Sequence, residues 1–255
     1  MFAIKNFTDN DDVRVLGSMG PFTVVEYLKD LSVTPSTAMT AYYCNEMNVR
    51  KRQVICDLSK ANITLQAGAM QWMAGNVNAT TGLKGVGDFF GKAVRGKVTG
   101  ESAVKPEYTG NGVLVLEPTY RHILLIDLAD WNGSIVLDDG LFLACDSKLK
   151  QKAVMRSNFS SAVAGGEGLF NLGVVGNGVL CLESPSPKEE LIEVTLQDDV
   201  LKVDGNRAIA WSGTLDFTVE RSGKTLLGSA ASGEGLVNVY RGTGKVLLAP
   251  VGGNC

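Results

Sequence analysis

The sequence predicts an all-β protein, a closed pseudo-three-fold β-barrel or double-stranded β-helix built from three internal repeats. A glycine-rich motif occurs three times at nearly equal spacing, and a motif of alternating apolar residues occurs three times between its copies. The order of these motifs along the chain indicates that the repeats close into a ring. Regular spacing of this kind means that one supersecondary unit has been used repeatedly.

The glycine motif begins with Gly-Glu and ends with Gly-x-Gly or a related pair before an apolar run. Its copies occupy residues 100–114, 166–180 and 233–246, so their starts lie 66 and 67 residues apart. We expect a positive φ or a bulge at each glycine pair, which bends the chain into the next strand. A phosphate-binding loop would instead need a helix to follow, and a strand follows here. The pairs are Gly110/Gly112, Gly176/Gly178 and Gly242/Gly244.

The alternating motif predicts two strands separated by a turn. The first strands are residues 54–58, 124–128 and 192–196, and the second strands are residues 63–65, 135–137 and 201–203. Every second residue is apolar, which is the period of a half-buried strand. Turn-forming residues lie between the strands at 59–62, 130–133 and 197–199, so each copy predicts a hairpin. A third element follows each hairpin at residues 68–72, 140–144 and 206–211.

The order of the half-units favours closure. Each repeat consists of two half-units, a predicted hairpin and a glycine motif. The repeat region, residues 51–251, begins with a hairpin and ends with a glycine motif, so the last glycine motif can pair with the first hairpin. Closure removes exposed strand edges, which an open array would leave without partners. Residues 1–50 lack the glycine motif but contain β-like runs at 13–16 and 22–27. We expect one domain over residues 1–255, in which residues 1–50 add strands or an oligomer contact.

Composition excludes some classes of function. Of the 255 residues, 45% are hydrophobic and 20% are charged, which suffices for a sizeable core. A net charge of −3 gives no basic footprint, so we expect no nucleic-acid partner. Five cysteines without Cys-x-x-Cys spacing, most of them in apolar runs, predict buried reduced thiols. Residues 1–6 lack the apolar segment of a secretory signal, and we therefore expect a cytoplasmic protein.

One segment, residues 80–97, breaks the β pattern with glycine, phenylalanine and cations. Its apolar residues could share one face of a short helix. In one interpretation it is a long crossover loop whose phenylalanine pair plugs the core or a subunit interface. In the other it is an amphipathic element that contacts a membrane surface or a partner. The contact residues would then be Lys84, Phe89, Phe90, Lys92 and Arg95.

Catalytic constellations are weak in this chain. His122 is the single histidine, so any Ser-His-Asp or Cys-His set would have to use it. We interpret it as an ordinary strand-end residue beside Arg121. One histidine with scattered cysteines does not supply a zinc site. The loop at residues 85–91 resembles a dinucleotide-binding loop only superficially, because its third glycine is displaced and no βαβ pattern surrounds it. We expect no catalytic residues and no cofactor.

The repeated acids are the remaining candidates for a site. Glu101, Glu167 and Glu234 hold one equivalent position in the three glycine motifs. If they face one axis of the ring, the three carboxylates could bind a hard cation such as calcium or magnesium. Alternatively, each glutamate accepts backbone N–H groups in a glycine turn and holds the next strand in register. Duplication copies turns as readily as sites, so both interpretations stay open.

Several motifs together resemble a known family. The run Gln-Ala-Gly-Ala-Met-Gln-Trp-Met at 66–73, the Gly-Glu motifs at 100–102 and 166–170, and the segment 203–211 look like successive signatures of the altered-inheritance-of-mitochondria protein 24 family. The similarity covers roughly residues 50–251 and includes the insertion at 82–97. Residues 1–50 are less typical and indicate a bacterial branch. The resemblance implies a fold like that of the subunits of the tryptophan RNA-binding attenuation protein (TRAP), without its function.

The resemblance implies little chemistry. Bacterial members are mostly uncharacterised, and the fungal mitochondrial member is linked to inner-membrane organisation, which favours a structural or assembly role. We predict a non-catalytic structural or interaction module that forms a homo-oligomer, with a protein or a membrane surface as a further partner. The alternative is a small-ligand or metal-binding protein with a pocket at the pseudo-three-fold axis. An enzyme of unrecognised type is a third hypothesis, which strongly perturbed carboxylates in a cleft would favour.

Overall fold

The described chain is all-β, as the sequence predicts. The structure is a computed structural model, and it describes residues 2–81, 105–155, 170–221 and 236–250. One helix, α1 (Ala38–Glu46), and two 3-10 turns, Leu128–Trp131 and Lys188–Glu190, occur within these ranges. The strands in chain order are β1 (Val13–Met19), β2 (Phe22–Tyr27), β3 (Arg52–Asp57), β4 (Ile63–Leu65), β5 (Met70–Thr80), β6 (Glu107–Leu116), β7 (His122–Asp127), β8 (Ser134–Leu137), β9 (Phe142–Asp146), β10 (Lys150–Met155), β11 (Phe170–Val175), β12 (Val179–Ser184), β13 (Ile192–Asp204), β14 (Ala208–Ser212), β15 (Asp216–Arg221) and β16 (Leu236–Leu248).

These strands form two sheets that share the middle of the chain. The first sheet has the order β1-β2-β3-β6-β4-β9-β12-β7, with β5 also paired to β6. The second has the order β10-β11-β8-β14-β16-β13, with β15 also paired to β16. Among the described strands the chain crosses between the sheets five times: between β7 and β8, β8 and β9, β9 and β10, β11 and β12, and β12 and β13. The first sheet curls, so that two of its edge strands, β1 and β7, lie near each other.

Comparable pairings occur in three stretches of the chain. β6 pairs with β3 and β4 along one side and with β5 along the other. In the middle stretch, β12 and β11 pair with β7 and β8 on one side and with β9 and β10 on the other. In the last stretch, β16 pairs with β13 on one side and with β14 and β15 on the other. Pairing of β4 with β9 and of β8 with β14 joins neighbouring stretches.

The predicted hairpins are wrong. In the described sheets β3 and β4 do not pair with each other, because both run antiparallel to β6 as successive segments of one ladder. β7 and β8 follow β12 and β11 in the same way. At 197–199 the predicted turn is a bulge within β13, with Asp198 at a φ of +53°. Polar residues that end a strand and those that bulge it are of the same types, so composition could not separate the two.

The bends predicted at the glycine pairs are confirmed. The first glycines, Gly110, Gly176 and Gly242, have φ values of +121°, +135° and +114°. The second glycine allows close approach of the neighbouring strand: a Cβ at Gly112 would collide with the backbone carbonyl of Ala74. These glycines therefore shape the backbone, since an L side chain rarely adopts such a φ and no space exists for one at position 112.

A β-bulge recurs where the third predicted element of each stretch begins. The register shifts between Met70 and Trp72, and at the corresponding points of β9 and β14. The bulged residues of β9 and β14 are Leu143 and Ile209, and their carbonyls accept hydrogen bonds from the N–H groups of Gln66 and Asp138. Both donors belong to the preceding stretch, so each bulge helps to attach one stretch to the next.

Three apolar clusters form the core. One draws on both sheets, because it combines Leu180 and Leu182 of β12 with Ile135 and Leu137 of β8. A second lies in the first sheet and includes Phe22 of β2, which is fully buried. A third lies in the second sheet around three aromatic rings whose centroids are 5.1–5.3 Å apart. Those rings belong to Trp211, Phe217 and Tyr240.

Residues 1–50 add strands to the first sheet, which is one of the two predicted alternatives, because β2 pairs with β3 and β1 with β2. The ring closure predicted from the order of the half-units is not made by strand pairing within the described residues, where β13 pairs with β16 and β5 with β6. The helix α1 was not predicted. None of its residues is buried, so its sequence lacks the apolar periodicity by which a packed helix is recognised.

Candidate functional site

The residues predicted from the sequence as a site lie outside the described part of the chain. This holds for the three repeated glutamates and for the segment proposed to touch a membrane or a partner. The residues concerned are Glu101, Glu167, Glu234, Lys84, Phe89, Phe90, Lys92 and Arg95. Both predictions therefore remain predictions, and the described residues point to a different site near the N-terminal strands.

A ladder of alternating charge crosses the first three strands. Glu26 on β2 lies directly opposite Arg14 on β1 and opposite Arg52 on β3. Oε1 of Glu26 is 2.8 Å from Nη2 of Arg14, and Oε2 is 2.8 Å from Nη2 of Arg52. Nη1 of Arg50 lies 3.5 Å from Oε1. Glu26 is 2% exposed and Arg52 is 4% exposed, so a buried carboxylate is compensated by three guanidinium groups.

Backbone carbonyls hold Arg52 in place. Its Nη1 donates to the carbonyls of Arg50 and Tyr120, at 3.2 and 3.4 Å, and its Nη2 donates to that of Asn48 at 3.5 Å. A buried cation needs such acceptors because removing it from water without them is costly. By contrast, the only polar contact of the Arg14 side chain among the described residues is with Glu26, and this side chain is 54% exposed.

This ladder was missed at the level of the sequence. Glu26 ends an apolar run, Phe-Thr-Val-Val-Glu-Tyr at 22–27, where a charged residue signals a buried partner. Its partners, however, lie on two other strands, and only the register of those strands brings them opposite Glu26. Register depends on the turns and on the tertiary fold. The sequence therefore indicates that Glu26 has a buried partner, but it does not identify that partner.

A cleft of about 410 Å³ opens beside this ladder, between the edge strands β1 and β7. Cations and carboxylates line one part of it, namely Arg14, Arg52, Lys188, Glu26 and Glu189. Apolar side chains line another part, including Leu16, Met19, Val24, Ile123 and Leu125. We call this space the β1–β7 cleft. Its walls therefore offer both polar and apolar contacts to a small molecule.

His122 begins β7 and lines the β1–β7 cleft. It is a strand-end residue, as the sequence predicts, but it is half-buried rather than an ordinary surface group. Burial lowers the pKa of His122, and the nearby positive charge of Arg52 lowers it further. Glu190, Glu26 and Glu189 act in the opposite direction and only partly offset these two effects. The imidazole is therefore neutral at pH 7, next to a group of fixed cations.

A second feature is the exposed apolar surface around α1, residues 31–49, which we call the α1 surface. Its large apolar side chains include Leu31, Met39, Tyr42, Tyr43 and Met47, which are 61–77% exposed. No residue of α1 is buried. A shallow cleft of about 340 Å³ borders the helix, and the ion pair between Lys51 and Asp30, 2.7 Å long, lies at its wall. The hydrogen bond from Lys51 lowers the pKa of Asp30.

The prediction of buried, reduced thiols is confirmed for Cys56, Cys145 and Cys181, none of which forms a disulfide. Burial raises the pKa of each; that of Cys145 reaches about 12. Thiolates are the reactive form, so these cysteines are inert packing residues. Within the described ranges, no group of three His, Cys, Asp or Glu residues is placed to hold a metal ion.

The chain is similar to one family model, to one curated relative and to a solved structure. A family model described as mitochondrial biogenesis AIM24 matches residues 47–251. An uncharacterised protein from Streptococcus pyogenes is 32% identical over 195 residues, which cover 73% of this chain and 76% of that protein. The crystal structure of protein SPYM3_0169 from Streptococcus pyogenes matches with a TM-score of 0.58 at 28% identity. That match covers 80% of this chain and 89% of the crystallised one.

The match to the family model starts at residue 47, just before β3. Arg50, Arg52 and His122 therefore lie inside the matched region, whereas Arg14, Glu26 and the helix α1 precede it. In the described part of the chain, no helix is both long enough and apolar enough to cross a membrane.

Proposed function

This chain belongs to the AIM24 family, and we propose that it is a non-catalytic structural or interaction module that assembles with further copies of itself. The observation that carries the proposal is the α1 surface, a continuous segment whose large apolar side chains face water. The relative from Streptococcus pyogenes is itself uncharacterised, so the support for this proposal comes from the residues of this chain.

The helix α1 lacks an internal source of stability. It has nine residues, and isolated helices shorter than about 12 residues are marginal in water. Helices of this length are normally stabilised by packing one face on a core, yet no residue of α1 is buried. Exposed apolar patches on a protein surface commonly mark a site of protein contact. We therefore infer that another molecule covers the α1 surface.

A second copy of the chain is the occupant that fits the charges at this surface. Lys29, Glu46, Arg50 and the ion pair of Asp30 with Lys51 flank the apolar residues. A two-fold interface places the same patch opposite itself, so a patch with charges of both signs can form complementary contacts with its own copy. A patch of one sign would repel its copy instead. Two-fold dimers are also the commonest homo-oligomers.

The test is the mass of the protein in solution. We expect light scattering to give a multiple of the chain mass of 27.1 kDa. In the double variant Met39→Glu/Tyr42→Glu, two charges replace side chains that are 73% and 61% exposed, so the chain should fold but dissociate to 27.1 kDa. Circular dichroism checks that the variant keeps its strands.

Val200→Glu is the matched control, because Val200 is 45% exposed on β13 of the second sheet, whereas the strands that flank α1 in the chain, β2 and β3, belong to the first. It should leave the oligomer intact. A wild-type chain that stays at 27.1 kDa across the micromolar range would rule out self-assembly. An oligomer that survives the double variant unchanged would show that the α1 surface is not the contact.

We infer further that the three comparable stretches are copies of one unit, arranged with pseudo-three-fold symmetry as in a TRAP-like fold. The recurrent pairings, the recurrent bulges and the three positive-φ glycines support this inference. All the repeated features concern the shape of the backbone and none is a set of reactive side chains, which favours a structural role. The buried, unpaired thiols support a reducing compartment, and we propose the cytoplasm.

Two alternatives stay as proposals with their own tests. A metal or ligand pocket at the pseudo-three-fold axis would use Glu101, Glu167 and Glu234, and calcium or magnesium should then raise Tm in the wild type but not in a triple Glu→Gln variant. Membrane contact through residues 82–97 would make the protein float with anionic liposomes, and deletion of that segment should abolish flotation.

A further inference from the structure

The β1–β7 cleft carries more positive charge than its buried carboxylate can neutralise. Glu26 faces Arg14, Arg50 and Arg52, so three cations surround one carboxylate. Lys188 adds a cation to the lining and Glu189 adds a carboxylate, so the three cations and two carboxylates that line the cleft leave it with a net charge of +1. Glu26 is almost fully buried, whereas Arg14 and Lys188 are exposed, so the cations are the groups that a ligand in the cleft can reach.

Both strands that border the cleft are sheet edges. Within the described residues β1 pairs with β2, and β7 pairs with β12. The free sides of these strands therefore carry backbone N–H and C=O groups without a strand partner. Arg14 contributes hydrogen-bond donors to the cleft, since its guanidinium has five N–H groups and one of its nitrogens contacts Glu26.

We propose that the β1–β7 cleft binds a small organic anion. Its carboxylate or phosphate group is held by Arg14 and Lys188. Its apolar part lies against Leu16, Met19 and Leu125. Guanidinium groups match the geometry of both oxyanions and bind them through paired N–H donors. The volume of about 410 Å³ accommodates a molecule of several carbon atoms, and the apolar wall gives such a molecule an advantage over an inorganic ion.

His122 supplies a reporter at this site. It is the only histidine in the chain, so its imidazole C–H signals can be assigned in a one-dimensional NMR spectrum of the full-length protein. Burial and Arg52 lower its pKa, whereas Glu26, Glu189 and Glu190 raise it. A bound anion adds negative charge beside the ring, so it should move the pKa of His122 upward and shift its signals.

The experiment titrates five probes into the protein at pH 7 and follows the His122 signals. Hexanoate and hexyl phosphate carry both parts of the proposed ligand, with the two alternative head groups. Acetate and inorganic phosphate carry the head group alone, and hexanol carries the chain alone. We expect a saturable shift with one or both of the six-carbon anions. Their head-group counterparts should bind at least tenfold more weakly, and hexanol should give no saturable shift.

Two variants locate the binding. Arg14→Gln and Lys188→Gln should each weaken the six-carbon anion at least tenfold. Arg241→Gln is the matched control, because Arg241 pairs with an exposed carboxylate on the second sheet and should leave binding unchanged. Lys188 makes no ion pair within the described residues and lies in an exposed turn, so Lys188→Gln should fold. If Arg14→Gln does not fold, Lys188→Gln alone tests whether the anion binds in the cleft.

The proposal is overturned if neither six-carbon anion gives a saturable shift. It is also overturned if hexanol binds as well as hexanoate, or if acetate and inorganic phosphate bind as well as their six-carbon counterparts. Equal affinities in the wild type and in the two cleft variants would show that the anion binds elsewhere. None of these outcomes depends on self-assembly, which light scattering measures separately.

Discussion

Glu26 shows how much of the stability of the N-terminal strands can depend on one side chain. Glu26→Gln preserves the size of the side chain but removes its charge, which leaves the buried Arg52 without its counter-ion. Removing one partner of a buried pair is far more costly than the pair itself is worth. We expect the free energy of unfolding, measured by urea denaturation, to fall by about 3–5 kcal/mol.

A matched variant separates burial from charge pairing as such. Glu220 and Arg241 form an ion pair of similar length, 2.7 Å, but both side chains are more than one-third exposed. Glu220→Gln should therefore change the free energy of unfolding by less than about 1 kcal/mol, since water screens such pairs. Similar losses in the two variants would show that Glu26 and its guanidinium partners are not buried as described.

Residue-level features were predictable where the cause is local. The positive φ of Gly110 and the burial of Cys56 follow from neighbouring residues, and both are confirmed. The charge ladder was not predictable, because Arg14, Glu26 and Arg52 are separated by up to 38 positions and meet only through strand register. The repeated glutamates were readable as a pattern, yet they lie outside the described residues, so that prediction stands untested.

At the scale of strands, the glycine bend within β6, where β5 approaches closely, should tolerate substitution poorly. Gly110 has a φ of +121°, and a Cβ there would collide with the backbone carbonyl of Asn76. Gly110→Ala combines backbone strain with a clash, so we expect a loss of roughly 3 kcal/mol or more. Calorimetry should show this as a marked fall in Tm.

Gly68 provides the control for this substitution. It also has a positive φ, +84°, but a Cβ there would meet no atom within 4 Å. Gly68→Ala should therefore cost only the strain of the left-handed conformation, about 1 kcal/mol. If the two variants lose the same stability, the close approach of β5 to β6 at Gly110 is incorrect.

Most strands could be predicted, but their connections could not. Alternation of apolar residues depends only on which side chains face the core, and it identified β3, β7 and β8 within a few residues. Whether a polar interruption reverses the chain or merely bulges it depends on the partner strand. The same residue types therefore produced a break before β4 and a bulge within β13. The helix α1 was not predicted, because a helix without a buried face has no apolar periodicity in its sequence.

For the whole molecule, the middle stretch decides whether the two sheets behave as one body. β9 and β12 belong to the first sheet, while the neighbouring segments β10 and β11 belong to the second. One core cluster also combines residues of both sheets, including Leu180 and Ile135. Separating the sheets would open this cluster and break continuous chain segments. The single domain predicted from the sequence should therefore unfold in one cooperative step.

That expectation can be tested by damaging one sheet and observing the other. Leu116→Ala opens a cavity in the first-sheet cluster, where Leu116 is fully buried, and should cost about 2–5 kcal/mol. The reporter is Trp211 in the second-sheet cluster, made the only tryptophan by Trp72→Phe and Trp131→Phe. In this background, Leu116→Ala should lower the urea midpoint of Trp211 fluorescence as much as that of circular dichroism. If the sheets unfold independently, the Trp211 midpoint will stay where it is while the dichroism midpoint falls.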